Sequence, residues 1–243
     1  MTHTTLCEYI EHYATSSMPR HLTTAVDWSK NNLMNVNWLK TKEMILGPMS
    51  GQAIPQLTLD GKDIERVYVY KLLGLHIEDS LKWNCHVDSI CSKASSRLHF
   101  LNVLKRSNVS PTDLLHFYTT AIRTVLEYAC AAWHTSLTVE QTHRIEGIQK
   151  RALHIIFGYN NDVHQPIIET LHARREELCK IFFSEMCNVN SCLNYLLPTS
   201  RDSDNMPNLR QFQRYIAPTT RTVRYQKSFV IHAIEHYQSA VIN

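Results

Sequence analysis

The sequence predicts an α+β protein in which a small strand-bearing N-terminal part leads into a mainly helical remainder. Three observations carry this. Four of the six glycines, at 47, 51, 61 and 74, fall in the first 80 residues, beside Pro48 and Pro55. Short runs with strand character lie in the same stretch. Beyond residue 82 the apolar residues recur at steps of three and four, the period of helices packed on one face.

In chain order, Leu22 to Met34 has helical spacing, with Leu22, Ala25, Val26 and Leu33 on one side. Leu57 and Leu59 running into Asp60-Gly61 read as a strand entering a tight turn, and Val67–Tyr70 and Leu72–Ile77 as further short strands. From His86 to Leu104 the residues Val87, Ile90, Ala94, Leu98, Leu101 and Leu104 form an apolar stripe. A second helix is expected at Ser110-Pro111. Serine caps the first amide groups, proline suits the first helical position, and Asp113 meets the positive end of the dipole. This helix runs through Leu114, Phe117, Ala121, Val125 and Tyr128. A third starts at Thr138, with Gln141 at capping-box spacing, and closes at Gly158. A fourth follows Pro166 and carries Ile167, Leu171, Leu178, Ile181 and Phe182. Residues Thr199 to Asn208 read as a polar linker, and Ser228 to Val241 as a final short helix. The implied domains are 1–80, 81–197 and 198–243, the last a loosely tied basic tail.

The bulk composition excludes several classes. The 243 residues are 44% hydrophobic with mean hydropathy −0.27, an ordinary globular balance. No run approaches the roughly 20 apolar residues of a membrane span, and the N-terminus lacks a basic and apolar leader. An intracellular protein with no membrane partner is expected. Seven cysteines without regular spacing argue for reduced thiols over a disulfide framework. The net charge is only +3, but residues 81 to 110 and 201 to 230 each carry a local excess of +4.

Each metal-like string has a plainer reading. His232-Ala-Ile-Glu235-His236 fits H-x-x-E-H, yet no His, Cys, Asp or Glu follows it, so a terminal amphipathic helix is the better reading. His86-Val-Asp88 fits H-x-D but opens a strongly helical pattern rather than a barrel strand. Cys85, His86 and Cys91, or Cys179, Cys187 and Cys192, lack C-x-x-C spacing and fall in or beside helices, which favours buried cysteine. Glu78 and Asp79 are adjacent acids that point apart on a strand end. No Walker A, G-x-G-x-x-G or G-x-S-x-G string occurs. No catalytic residue, metal, cofactor or small-molecule substrate is therefore expected. The remaining candidates are basic: Lys82, Lys93, Arg97, Lys105, Arg106, Lys150 and Arg151. With Lys93 and Arg97 one helical turn apart, a helix face could meet phosphates and release their counterions. A plain solvated face is the competing reading.

Several strings together resemble the C-terminal part of non-LTR (LINE-like, jockey-like) retrotransposon reverse transcriptases. They are Val36 to Met44 (VNWLKTKEM), Tyr70 to Ile77 (YKLLGLHI), Leu81 to Val87 (LKWNCHV), Ile122 to Tyr128 (IRTVLEY), Trp133, Ile145 to Gly158 (IEGIQKRALHIIFG), and Arg221 to Ile234. They keep the family's order over nearly the whole chain. The resemblance implies a truncated antiparallel palm remnant at 1–80, a helical thumb and connection region at 81–197, and partners among RNA or DNA duplexes or other retroelement proteins. It also implies a catalytically inactive fragment. The family's paired aspartates directly precede a Thr-Thr-Leu like Thr4-Thr5-Leu6, and here those positions hold Thr2 and His3, which cannot serve magnesium as carboxylates do. A palm remnant without its neighbouring strands is expected to expose sheet edges and apolar surface, and so to aggregate or pair.

Residues 38 to about 104 also resemble the short N-terminal domain of an AlkB-family tRNA-modifying dioxygenase and methyltransferase. This is the alternative functional class. The residues themselves carry neither a glycine-rich S-adenosylmethionine loop nor the strands of an iron-binding barrel.

Overall fold

The computed structural model describes residues 4–10, 16–47, 54–59, 61–158, 168–200 and 214–238. Thr2, His3, Pro48, Gly51, Asp60, Pro166, Ile167, Val241 and most of the stretch read as a linker lie outside these residues. The architecture is α+β, mainly helical with few strands. The chain divides into two compact units, Met1–Leu81 and Lys82–Asn243.

The first unit opens with helix α1, Met18–Asn31. It begins four residues earlier than the apolar spacing suggests, because Pro19 sits in its first turn and the Glu8 carboxylate binds its N-terminal end. That carboxylate accepts from the amides of Ser17 (2.6 Å) and Met18 (3.1 Å) and from both serine hydroxyls, 16 and 17. These hydrogen bonds hold the Glu8 carboxyl down at about 2. Among the described residues six short strands follow: β1 Lys42–Glu43, β2 Thr58–Leu59, β3 Lys62–Asp63, β4 Glu65–Arg66, β5 Val69–Leu72 and β6 Leu75–Glu78. They form three two-stranded pieces. β2 with β3 and β5 with β6 are antiparallel, while β1 with β4 is parallel, a pairing the expectation of a purely antiparallel remnant did not include. The β5–β6 turn places Leu73 and Gly74 at φ of 46° and 90°, the two positive angles of a tight hairpin. The core of this unit is small: Val26, Leu59 and Ile64 are buried, backed by Leu22, Val36, Trp38 and Leu57. Trp28, Leu33, Leu39, Tyr68 and Leu73 stay exposed.

The second unit is a helical assembly. Helix α2 spans Asn84–Arg106 and buries Val87, Ile90, Ala94, Leu98 and Leu101. It stops where Asn108 turns left-handed. Helix α3, Pro111–Phe117, starts as its sequence predicts, with Ser110 Oγ accepting from the Asp113 amide at 3.2 Å. It continues through a π-helical turn at Tyr118–Arg123 into α4, Thr124–Glu127. Two 3₁₀ turns, Cys130–Ala132 and His134–Ser136, lead to α5, Val139–Phe157. Its capping box is complete: Thr138 accepts from the Gln141 amide (3.2 Å), and Gln141 Oε1 accepts from the Thr138 amide (2.9 Å). Gly158 ends it at φ 81°, ψ −166°, a conformation open to glycine. Helix α6 spans Leu171–Met186, and its leading amides meet Thr170 Oγ1 and the Glu146 carboxylate of α5.

Two short helices close the chain, α7 at Val223–Gln226 and α8 at Phe229–His236. The described part of this segment is tied down rather than loose. Phe229 packs on Phe182 of α6, and Tyr237 on Phe183. The Lys227 carbonyl accepts from Thr135 and Ser136. Gln238 satisfies both the amide and the carbonyl of buried Tyr215. The apolar residues at 215, 229, 231, 234 and 237 explain why.

Candidate nucleic-acid interface and the polar core behind it

Helices α2 and α5 pack along one another and leave a surface groove of about 440 Å³. Asp88, Cys91, Ser92 and Ser95 of α2 line one side, Arg144, Ile148 and Arg151 of α5 the other. The helical period explains the wall on α5, since positions 144, 148 and 151 fall on one face. Arg144 is held by Asp88 at 2.5 Å, and both side chains remain largely exposed. The Asp88 carboxylate raises the Arg144 guanidinium further above its ordinary value. Arg151 Nε donates to the Gly147 carbonyl of its own helix at 3.3 Å, leaving the rest of its head at the surface. Two cations, two serine hydroxyls and one carboxylate that can be displaced make a surface suited to phosphate oxygens.

The basic residues singled out from sequence are not gathered on one face. Lys82, Lys93, Lys105, Arg106, Lys150 and Arg151 are exposed. Arg97 turns inward, where its Nη1 donates to the Ala121 carbonyl in the π-helical turn. There each residue's carbonyl faces a non-standard partner, so an extra donor is useful. Lys105 Nζ donates to the Ile156 carbonyl at 2.9 Å, capping the negative end of α5. Arg144 was not singled out, although its seven-residue spacing from Arg151 puts it on the same helix face.

The strings that resemble the reverse transcriptases are mostly structural. In Ile122–Tyr128, Ile122 and Leu126 are buried, and Glu127 binds Arg174 of α6 at 2.6 Å and Arg123 at 3.7 Å. In Ile145–Gly158, Ile148 and Ala152 are core residues. Gln149 Oε1 accepts from buried Tyr118 at 2.5 Å, and its amide group donates to the Glu169 carbonyl at 2.9 Å. Burial pushes the Tyr118 hydroxyl well above its usual range. Within α5, the Lys150-Arg151 pair of that string stands on the exposed side.

Behind the groove lies a polar cluster that sequence reasoning missed. Arg175 of α6 is completely buried. Its guanidinium stands over the Trp133 ring at 5.5 Å, and Nε donates to His134 Nδ1 at 3.3 Å. Nη1 and Nη2 have no hydrogen-bond partner. Burial lowers its pKa from the ordinary arginine value. His134 Nε2 faces Glu176 at 3.2 Å, and the His172 ring lies edge-on at 4.9 Å. Trp133 also packs on buried His86, 5.3 Å away, and His86 on Trp83. No sequence signal marks one arginine of the Arg174-Arg175 pair for the core.

Replacing Arg175 with methionine is expected to stabilise the protein by about 1–3 kcal/mol. The change forfeits one hydrogen bond, worth about 1 kcal/mol, and a cation–π contact of similar size. It also removes a buried charge with two unsatisfied nitrogen groups, whose desolvation costs several kcal/mol. Urea unfolding followed by circular dichroism checks the sign. A lower midpoint in the variant would show that the surrounding carboxylates compensate the charge after all.

Among the described residues, no three His, Cys, Asp or Glu side chains converge to hold a metal ion. The H-x-D pair is split, with His86 buried between tryptophans and Asp88 paired with Arg144 at the surface. In the H-x-x-E-H string the His232 and His236 rings stack at 4.2 Å, and His236 Nδ1 bonds the His232 carbonyl.

The fold is thus a mainly helical α+β scaffold with a basic surface groove. Residues 83–124, covering α2, α3 and the whole π-helical turn, match the family model for the N-terminal part of alkylated DNA repair protein alkB homologue 8. This segment is well under half of the chain, so it establishes a similarity confined to these elements. No curated protein and no solved structure matches the chain. No helix among the described residues is long and apolar enough to cross a membrane.

Proposed function

We propose that the helical unit is a nucleic-acid docking module that works without catalysis of its own. Its residues 83–124 correspond to the alkB-homologue-8 N-terminal segment, and the groove between α2 and α5 receives a phosphate backbone. The carrying observation is the placement of Arg144 and Arg151 opposite Ser92 and Ser95 in one open groove. The matched family is named for repair of alkylated DNA, which supports a nucleic-acid partner. In this reading the module presents nucleic acid to dioxygenase or methyltransferase chemistry located elsewhere.

A second reading is favoured by the ordered strings from Val36 to Ile234: an inactive C-terminal part of a non-LTR retrotransposon reverse transcriptase whose thumb-like helices keep a weak duplex contact. Both readings share the groove and differ in the partner.

The test is binding of labelled DNA and RNA duplexes to the whole chain across a salt series. The expected result is affinity that falls steeply with salt. Exchanging Arg144 and Arg151 for glutamate should weaken binding at least tenfold at low salt and reduce the log–log slope by about 2. Affinity indifferent to salt and to both substitutions would remove the proposal. Turnover with added iron and 2-oxoglutarate would replace docking with catalysis.

A further inference from the structure

We propose that His232 and His236 form a two-imidazole chelate on α8, a surface site that takes one late divalent transition-metal ion through the two rings and leaves its other positions to water. The residues are four apart on the helix, which puts them on one face, one turn from each other. Their rings lie side by side, with centroids 4.2 Å apart and planes 16° from parallel. Two nitrogens bound to one ion at about 2.1 Å can be no more than about 4 Å apart, so the ring separation matches the span of a single coordination sphere.

The surroundings hold both rings ready as ligands. His236 Nδ1 lies 2.9 Å from the His232 carbonyl. A carbonyl only accepts, so Nδ1 carries the proton and Nε2 presents its lone pair. A backbone bond of this kind fixes the tautomer and the ring direction of metal-ligating histidines. His236 is exposed, and the half-buried His232 ring stands edge-on to Tyr237 at 5.4 Å. The helix beneath them is anchored: Ile231, Ala233 and Ile234 are buried, and Phe229 packs on Phe182 of α6. The pair is therefore offered on a formed helix, and the ion need not order it. His236 is the last residue of α8, where the negative end of the helix dipole favours a cation. Among the described residues no third His, Cys, Asp or Glu joins the pair. This speaks against a closed structural zinc centre and for an open, exchangeable site. Two imidazoles without a thiolate or a carboxylate select the late first-row ions, copper(II) most tightly and nickel(II) and zinc(II) after it, and discriminate against magnesium and calcium, which need oxygen ligands.

The experiment titrates nickel(II) chloride into the whole chain by calorimetry, nickel being chosen because, unlike copper(II), it does not oxidise the free cysteines. Saturable binding of one ion is expected, and magnesium chloride should give no response. His236→Ala should weaken the affinity about tenfold or more, and His232→Ala likewise. His99→Ala, which removes an exposed histidine of α2, should change nothing. Because His236 is exposed, its alanine variant keeps the fold, which circular dichroism checks. Paramagnetic broadening by nickel should centre on the backbone amides of α8. Nickel should also raise the urea midpoint of the natural chain and not that of His236→Ala. Undiminished binding in His236→Ala, broadening centred elsewhere, an equal response to magnesium, or no saturable binding at all would each overturn the inference.

Discussion

Trp133→Ala lowers the stability of the chain by about 3–5 kcal/mol, the largest loss expected from a single side-chain truncation here. Trp133 has no exposed surface. Its ring meets His86 of α2 on one side and the Arg175 guanidinium of α6 on another. Its Nε1 donates to the Tyr128 carbonyl at 3.1 Å, just before Ala129 adopts φ 49° and the chain turns out of α4. Truncation leaves a cavity and a buried cation without its aromatic support, and these costs fall on one place. Trp133→Phe keeps most of the volume and should cost about half as much. Helix content followed by circular dichroism in urea measures both, avoiding the tryptophan fluorescence that the substitution removes. A loss below about 1 kcal/mol for the alanine variant would mean that the turn at 128–136 repacks without its tryptophan.

The helical unit was legible in sequence because its signals are local. Ser110-Pro111-Asp113, Thr138 with Gln141, and Gly158 each fix a helix end through groups within a few residues, and α3, α5 and the end of α5 lie where these place them. The strand-bearing unit was legible in kind but not in detail. The parallel pairing of Lys42–Glu43 with Glu65–Arg66 joins residues 23 apart, and only the folded chain brings them together. Leu73 at a positive φ contradicts its local preference, so by sequence the turn looks like continuous strand. The site divided along the same line. Exposure of Lys150 and Arg151 follows from helix phase, whereas the inward turn of Arg97 and the cap that exposed Lys105 places on α5 depend on carbonyls 24 and 51 residues away. The buried Arg175 cluster depends wholly on tertiary packing, and reads in sequence as one more basic residue.

That cluster also makes stability depend on pH. His134 is buried, accepts the Arg175 Nε–H at Nδ1 and so carries its own proton on Nε2, directed at Glu176. Burial first, then the Arg175 charge and His172, pull its pKa from the ordinary 6.5 down to about 4, with Glu176 opposing. A second proton would have to enter at Nδ1, facing a guanidinium. The unfolded chain carries no such penalty and takes that proton near pH 6.5. This group's contribution is therefore fully present above pH 6.5, declines as acid is added, and is exhausted near pH 4. The total is on the order of 3 kcal/mol. Urea unfolding across that window should show the decline in the natural chain and a markedly flatter profile in His134→Gln. Arg175→Met supplies the decisive comparison. Removing the cation lifts the His134 pKa toward its ordinary value, so the variant should keep more stability in acid than the natural chain. An acid decline left unchanged by both substitutions would assign it to other titrating groups and leave His134 a spectator.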